Sequence, residues 1–367
     1  MTDALVALIR REGPITFDRF MAAALYSPGG FFTSSRGPRA DFVTSPTLGS
    51  LFGACVAAAL DRWWHECGAP DPFLVVEAGA GDGRLAREIL RAEPECLRAL
   101  RYVLVEVAPE RCAAQRDRLP IDPPAEALGA FVAGSGEDPP VPAPGTGPVF
   151  TTVDELPPVG ARNAVLLANE LLDNLPFGIA ESDGTRWCEV RVGWSGTGFT
   201  EVVVPAAAEV GDLIGAPVAP AGVRMPIPRG LRSWFGEAER TIGTGIVALI
   251  DYMTEAPELR LRTYRAHRSA GSPLEAPGTC DITADVVVDQ LVHAATPAFG
   301  LVGLWTQAEW LRDLGIEARA DVGAQQWAAG AAVGGLDALA GRSRVHEAAA
   351  LTDPSGLGAH RVAVFRR

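Results

Sequence analysis

The 367-residue sequence contains no lysine, no closely spaced pair of cysteines and no long apolar run. Every basic side chain is therefore an arginine, and 32 arginines against 45 aspartates and glutamates give a formal net charge of −13. A chain this acidic is a poor non-specific ligand for phosphate backbones or anionic membranes, but it is a reasonable host for a cationic substrate. We therefore expect neither a nucleic acid nor a membrane as partner.

Cysteine is scarce. The six cysteines are scattered along the chain, without a C-x-x-C pair or a histidine at ligand spacing. This excludes a disulfide framework and predicts no metal site. No apolar stretch reaches the roughly 18 residues of a membrane helix, and the first residues lack the pattern of a signal peptide. On these grounds we expect a soluble protein of a reducing compartment, the cytoplasm.

Short apolar runs predict the buried strands of a parallel sheet. The first run, 73–77, leads into a glycine-rich turn at 78–83, a helix at 84–92 and a second strand at 102–106. Strand, turn, helix and strand in this order open a doubly wound α/β sheet. Further strands are predicted near 149–152, 164–168, 245–252, 299–304 and 360–366.

The remaining segments predict helices and loops around this sheet. Turn signals at 178–204 indicate a small antiparallel insertion, and the segments 120–147 and 253–282 are predicted to be loops. Helices are predicted at about 47–67, 108–118, 229–242, from 283 or 285 to 295, 306–314 and 323–340. We divide the chain into an N-terminal helical extension (1–70), a first core part (71–177), an inserted α+β subdomain (178–243) and a second core part (244–367) with an active-site loop at 253–285.

The glycine-rich turn is the most informative segment. Gly79, Gly81 and Gly83 let the backbone turn sharply and approach a ligand closely. Their spacing departs from the G-x-G-x-x-G of dinucleotide sites, which disfavours a nicotinamide dehydrogenase. Glu77 suits a ligand with positive charge, and Glu106, which ends the second strand, is placed to accept from two ribose hydroxyls. S-adenosylmethionine (SAM) meets both demands, since it carries an ammonium and a sulfonium but no phosphate.

Short motifs along nearly the whole chain resemble the MidA-type family of SAM-dependent methyltransferases. They follow that family's order, and the set is specific although each piece alone is not. The matching stretches are Gly13-Pro-Ile15 with Met21 and Leu25-Tyr-Ser-Pro28, Asp41-Phe-Val-Thr-Ser-Pro46 with Phe52-Gly53, the glycine turn, Asn169-Glu-Leu-Leu-Asp-Asn-Leu-Pro176, Asp251-Tyr252, Tyr264-Arg-Ala-His267, Pro277-Gly278 with Asp281-Ile-Thr-Ala284, Thr306-Gln307 with Leu314-Gly-Ile316, and Leu351-Thr-Asp-Pro354.

The resemblance implies a class I methyltransferase: a Rossmann-like, doubly wound, mostly parallel seven-stranded sheet, with an N-terminal helical extension and an insertion between strands four and five. It implies SAM as methyl donor and a protein or peptide acceptor, with an arginine nitrogen as first choice, because mitochondrial relatives methylate an arginine of a complex I subunit. A homodimer is also allowed for. The departures from the family pattern concern the acceptor side: Asn174 for alanine, Met253 for glycine, Asp285-Val-Val-Val for x-Val-Asp-Phe, and Ser269-Ala-Gly-Ser272 for a stretch with an acid.

Glu170 and Asp173 lie three residues apart just past the fourth strand, at the end of the sheet that faces the ligand crevice. A guanidinium is protonated at neutral pH, and carboxylates can hold it and orient one nitrogen for in-line attack. We therefore expect Glu170 and Asp173 to grip a cationic acceptor and Asn169 to contact the acceptor or the SAM carboxylate. The alternative is that one acid caps a helix while the other is solvated.

The other site candidates come from the matching stretches. His267 is a candidate general base, because histidine titrates near neutrality. Thr44 and Ser45, with Asp41, are expected to fold over SAM, although a turn before Pro46 explains them equally. Thr152 and Val153 are expected to line the adenine.

Two other functions stay open at this point. One is a small-molecule or natural-product O- or N-methyltransferase, which would methylate a metabolite and label no protein. The other, from a different class, is an assembly or binding protein that kept the fold and lost catalysis. In that protein, substitution of Glu170 or Asp173 would be silent.

Overall fold

The computed structural model describes residues 1–34, 44–131, 144–265, 268–330 and 334–367. They form two compact units. The smaller unit comprises the described residues within 1–42, 171–237 and 252–298, and the larger unit those within 43–170, 238–251 and 299–367.

The strands and helices are numbered in chain order. The strands are β1 (Ile15–Thr16), β2 (Phe73–Ala78), β3 (Leu100–Val105), β4 (Val149–Val153), β5 (Ala164–Asn169), β6 (Gly178–Ser182), β7 (Trp187–Trp194), β8 (Phe199–Pro205), β9 (Arg224–Ile227), β10 (Gly245–Asp251), β11 (Met253–Thr254), β12 (Arg262–Arg265), β13 (Arg268–Ser269), β14 (Asp281–Thr283), β15 (Val286–Val287), β16 (Gly300–Thr306) and β17 (Arg361–Arg366). The helices are α1 (Thr2–Glu12), α2 (Phe17–Tyr26), α3 (Ser45–Leu48), α4 (Leu51–Glu66), α5 (Arg84–Arg91), α6 (Pro109–Arg116), α7 (Pro124–Leu128), α8 (Ala208–Ile214), α9 (Arg229–Thr241), α10 (Val288–Ala295), α11 (Gln307–Asp313), α12 (Ile316–Gly330) and α13 (Leu336–Leu351).

The larger unit is built on a seven-stranded sheet in the order β4-β3-β2-β5-β10-β17-β16. Its first five strands run parallel, and β17 pairs antiparallel with both β10 and β16. Strands covered on both faces bury every side chain, which is why β2, β3 and β10 are mostly apolar and contain one charged residue each, Glu77, Arg101 and Asp251. The predicted doubly wound, mostly parallel seven-stranded α/β sheet is confirmed.

The chain reverses its direction of travel across this sheet between β2 and β5. From β2 it proceeds outward to β3 and β4, and it then returns to place β5 on the other side of β2. Ligands of open α/β sheets bind outside the carboxyl ends of the strands at such a switch point. In this sheet those ends are Ala78, which opens into the glycine turn, and Asn169.

The smaller unit is built on an antiparallel sheet of β1 and β6 to β9, with short two- and three-stranded sheets from residues 253–287. Its core joins α2 to this sheet through Phe17, Phe20 and Met21 on the helix and Ile179 and Val190 on the strands. The first 34 residues therefore belong with the inserted subdomain, whereas residues 44–70 belong to the larger unit. The compact units thus cut across the four predicted segments.

Two predicted helices differ from the structure. The helix predicted at 47–67 is divided into α3 and α4, because the Glu347 carboxylate accepts a hydrogen bond from the Leu51 amide (2.6 Å) and so caps a new helix start. The helix predicted at 323–340 is two helices, α12 and α13, that cross closely: a Cβ on Gly323 would lie 2.8 Å from the Gly341 oxygen. These two glycines permit close helix packing; they do not end a helix.

Two predicted loops contain regular structure. The segment 120–147 includes α7, which has a proline in its first turn. The segment 253–282 includes β11 to β13 and the start of β14. Because β14 pairs with β12 and β15 pairs with β11, α10 starts only at Val288. In the part of the chain that the structure describes, no helix has the length and apolar character needed to cross a membrane.

Candidate active site

The three glycines of the turn after β2 all have left-handed backbone angles but serve different purposes. Gly79, Gly81 and Gly83 have φ of 70°, 57° and 75°, a region that favours glycine. A Cβ on Gly81 would meet no atom within 4 Å, so this side of the turn is open. A Cβ on Gly83 would lie 3.2 Å from the Gln115 side chain, so Gly83 is needed for packing.

The peptide groups of Gly81 are held from two sides. Its amide donates to Glu106 Oε2 (2.9 Å), and its carbonyl accepts from Gln115 Nε2 (2.7 Å). Gln115, fully buried on α6, also accepts from the Thr152 hydroxyl (2.6 Å). Sequence reasoning missed Gln115, whose single signal is a polar residue on a helix that follows the second strand.

Glu106 lies just past β3, as the sequence predicts. Its Oε1 accepts from the Ala108 amide (2.8 Å), so both carboxylate oxygens hold backbone amides. Burial raises the pKa of Glu106, while Arg111 at 3.8 Å and these amides oppose the rise. Each carboxylate oxygen can accept a second hydrogen bond, which leaves capacity for the hydroxyls of a ribose.

Glu77 is buried within β2, with 4% of its surface exposed, and lies in register opposite Leu104. The Tyr102 hydroxyl donates to its Oε2 (2.8 Å). Burial raises the pKa of Glu77 to about 8, although the Tyr102 hydrogen bond lowers it, and the nearby carboxylates of Asp82 and Glu106 add to the rise. In the ligand-free protein this carboxyl is therefore mostly neutral at pH 7, and a cation close by would favour its ionised form.

Asn169 and Glu170 end β5 in an unusual conformation. Glu170 has a φ of 51°, and its amide donates to the Ile250 carbonyl (2.8 Å). A left-handed glutamate costs about 1–2 kcal/mol, and such strain clusters at functional sites. Glu170 Oε1 accepts from the Asn169 side chain (3.3 Å) and the Ser45 amide (3.4 Å). Asn169 Oδ1 is buried and has no hydrogen-bond partner among the described residues.

Thr44 and Ser45 use their side chains within the protein. Thr44 caps α3 through a reciprocal pair of contacts with Thr47. Ser45 is fully buried, and its hydroxyl donates to Gln307 Oε1 (2.9 Å). The contact that these two residues make with the site is the hydrogen bond from the Ser45 amide to the Glu170 carboxylate.

Thr152 and Val153 end β4 beside the carboxyl end of β3. The Val153 carbonyl accepts from the Glu106 amide (3.0 Å), and the Thr152 hydroxyl is engaged by Gln115. His267 and Asp41, the other candidates, lie outside the described residues. Among the residues that the structure describes, no group of three or more His, Cys, Asp or Glu could hold a metal ion.

Asp173 belongs to the smaller unit, whereas Glu170 belongs to the larger one. Asp173 is buried, and its Oδ2 accepts from the Thr283 hydroxyl (2.6 Å). Within the described ranges its Oδ1 has no hydrogen-bond partner. Burial raises the pKa of Asp173 to about 6. The next residue, Asn174, donates to Asp281 Oδ1 (2.9 Å).

The residues of the larger unit fit SAM. The open side of Gly81 admits a ligand against the backbone, the Glu106 carboxylate can take hydroxyls, and the buried Asn169 Oδ1 lacks a donor among the described residues. The sheet is doubly wound with one antiparallel strand, and a left-handed glycine turn lies at its switch point. Acids lie at the carboxyl ends of β2 and β3. These features define an α/β fold with a nucleoside site, of the methyltransferase type.

The chain belongs to the family of S-adenosyl-L-methionine-dependent methyltransferases designated Methyltransf_28, whose model matches residues 55–307. Two curated relatives are named as protein arginine methyltransferases of mitochondria. The NDUFAF7 homologue of Drosophila melanogaster is 28% identical over 322 residues, covering 79% of this chain and 69% of the relative. NDUFAF7 of Mus musculus is 27% identical over 345 residues, covering 87% and 74%.

A solved structure from Burkholderia thailandensis is similar over the whole chain. It has a TM-score of 0.77 and 26% identity, covers 100% of this chain and 91% of that one, and is named as that of a likely methyl transferase bound to S-adenosyl-homocysteine. The MidA-type resemblance, the methyltransferase activity and SAM as methyl donor are thereby confirmed. The expected cytoplasmic location is wrong, because these curated relatives are named as mitochondrial proteins.

Proposed function

We propose that this methyltransferase modifies an arginine nitrogen of a protein. The relatives from fly and mouse are named as protein arginine methyltransferases, and the net charge of −13 suits a cationic acceptor. The observation that carries the proposal is the strained Glu170, whose carboxylate is anchored by the Ser45 amide directly past the carboxyl end of β5. An acid held in this way is preorganised, so it does not have to move when the acceptor binds.

In this proposal the residues divide the work between donor and acceptor. Gly81, Glu106 and Gln115 hold the nucleoside end of SAM, which supplies a methyl group on a sulfonium that a nucleophile displaces in line. Glu170 accepts guanidinium N–H bonds and orients one nitrogen of the acceptor. Its carboxylate can also take up the proton that this nitrogen loses on methylation. Asp173 stays a predicted binding residue for a cationic acceptor.

The first experiment identifies the acceptor. The protein is incubated with a native lysate and SAM carrying a radiolabelled methyl group, and the labelled fraction is hydrolysed and separated into amino acids. We expect label in methylarginine from protein. Label confined to small molecules would contradict a protein acceptor.

The homodimer, which the sequence allows for, stays a prediction.

The second experiment tests Glu170. We expect Glu170→Gln to lower kcat by about 100-fold, because the amide neither holds a cation nor accepts its proton, while SAM affinity measured by calorimetry stays within about twofold. Glu209→Gln, a change at a mostly exposed acid, is the control and should leave both quantities unchanged. Equal turnover in Glu170→Gln and the parent protein would remove Glu170 from the reaction.

A further inference from the structure

Asp173 lies next to an ion pair that the catalytic proposal does not use. Thr283, which donates to Asp173, is the cross-strand partner of Arg262 in the pairing of β12 with β14. Arg262 Nη2 donates to Asp285 Oδ1 at 2.6 Å. Both partners are largely shielded from solvent, with 32% and 13% of their side chains exposed, so their charges are only weakly screened.

Arg262 is held on a second side by an aromatic ring. Its guanidinium carbon lies 5.6 Å from the centre of the Tyr252 ring, within the range of a cation–π contact. The backbone of Tyr252 is held at this position, since its carbonyl accepts from the Val286 amide (2.8 Å). Arg262 is therefore held by Asp285 and by Tyr252, opposite the Thr283 that donates to Asp173.

The two members of the pair act on Asp173 in opposite directions. Burial raises the pKa of Asp173; the Arg262 charge lowers it, and the Asp285 charge adds to the rise. The other polar groups that the described contacts place in this region are Thr283 on β14, Asn174 on the segment of Asp173 itself, Asp281, whose Oδ1 accepts from Asn174, and Tyr26 on α2, whose hydroxyl donates to the Asn174 carbonyl. Asp173 Oδ2 accepts from Thr283, whereas Oδ1 has no hydrogen-bond partner among the described residues and can accept from a ligand.

We propose that Arg262 and Asp285 are positioning residues that set the ionisation of Asp173 and so determine the pH above which it can receive a cationic acceptor. The role of the acceptor in this inference rests on the proposed function. The electrostatic role does not, because it concerns one buried carboxyl and its two charged neighbours. Arg262 holds the carboxylate ionised, and Asp285 limits that effect.

The test uses substitutions with opposite expected signs. Arg262→Gln removes a positive charge, so the acid limb of the kcat/KM profile should move to higher pH by about one pH unit, and Arg262→Lys should restore it. Asp285→Asn removes a negative charge, so the limb should move to lower pH. Damage to packing alone would lower activity in both variants without shifting the limbs apart.

A direct measurement separates this inference from the proposed function. The Asp173 carboxyl is titrated by ¹³C NMR in the full-length, ligand-free protein, with Asp173→Asn to assign its signal. Opposite shifts of this titration in Arg262→Gln and Asp285→Asn support the inference, whether or not the acid limb of kcat/KM shifts with them. If the titration shifts but the limb does not, the acceptor role of Asp173 is contradicted. An unchanged titration in both variants overturns the inference.

A matched control comes from the same unit. Arg224 is also ion-paired, to Glu181 at 2.7 Å and Glu201 at 2.6 Å. Arg224→Gln should leave the Asp173 titration in place, and a shift as large as that of Arg262→Gln would overturn the inference. If Arg262→Gln does not fold, Asp285→Asn carries the test alone, since its downward shift is opposite to the effect of burial.

Discussion

The two units hold their buried acids by different means. In the larger unit, both oxygens of Glu106 accept from backbone amides, those of Gly81 and Ala108. In the smaller unit, Asp173 depends on the hydroxyl of Thr283, 110 residues further along the chain, and one of its oxygens has no partner among the described residues. The first acid is fixed by the loops that follow two neighbouring strands, and the second by strand pairing at long range.

We relate this difference to the two tasks that we propose for these acids, which are binding of the methyl donor and binding of the acceptor. Glu106 shapes the turn around Gly81, and its carboxylate is correctly placed as soon as β2, the glycine turn and β3 have formed. Asp173 is only as well placed as the pairing of β12 with β14 allows, and its ionisation depends on Arg262 and Asp285. We therefore expect changes near Glu106 to act on the methyl donor, and changes near Asp173 to act on the acceptor and on the pH dependence.

The largest effect is expected from Gly81→Val. The residue has a φ of 57°, which a β-branched side chain rarely adopts, and its side chain would point to the open side of the turn. We expect SAM affinity, measured by calorimetry, to fall by more than about 100-fold.

Gly215→Val is the matched control for this change. Gly215 has a similar φ of 64° and an open side, but it ends α8 in the smaller unit. It should lower thermal stability with little effect on SAM affinity. Unchanged SAM affinity in Gly81→Val would show that the ligand does not lie against the glycine turn.

A smaller effect is expected from Gln115→Leu. Leucine leaves the Gly81 carbonyl and the Thr152 hydroxyl without the partner that joins them. A loss of about 1.4 kcal/mol, within the range expected for a buried group left without a partner, predicts roughly a tenfold rise in the KM for SAM, with kcat nearly unchanged at saturation. Gln290→Leu removes another buried glutamine, which donates to the Pro226 carbonyl, and should leave the KM for SAM unchanged. Equal KM values in all three proteins would assign Gln115 to packing.

The smallest effect, and the one most dependent on pH, is expected from Glu77→Gln. Because burial raises the pKa of Glu77 to about 8, its neutral form is favoured in the folded, ligand-free protein until the pH rises through 8. A cationic ligand favours the ionised form, so binding of SAM near pH 7 should release up to about one proton. Calorimetry in buffers of different ionisation enthalpy measures this release, and Glu77→Gln should abolish it. Equal release from both proteins would place the proton elsewhere.

The sequence predicts the larger unit well because its signals are local. Short, mostly apolar runs mark β2, β3 and β10, and the three glycines between β2 and α5 mark the turn. The carboxylate at the end of β3 also follows from its position. Gln115 could not be found in this way, since a buried glutamine on a helix is indistinguishable from an exposed one until its partners are known.

The smaller unit is less predictable because its contacts join distant segments. No local pattern connects Arg262 to Asp285 or Asp173 to Thr283, and the loop predicted at 253–282 contains the strands that bring them together. In the larger unit, Gly323 is similarly ambiguous: a glycine inside a helical pattern is equally consistent with a helix end and with a close crossing of two helices. In such cases only the tertiary contacts assign a purpose to the residue.

The position of β17 has a consequence for the way this chain is made. Residues 361–366 form the last strand along the chain, yet they lie between β10 and β16. A polypeptide emerging from the ribosome therefore exposes the unpaired edges of β10 and β16 until this strand is available. The larger unit can reach its final form only after residue 366 has been translated, whereas the strands β6 to β9 of the smaller unit can pair much earlier.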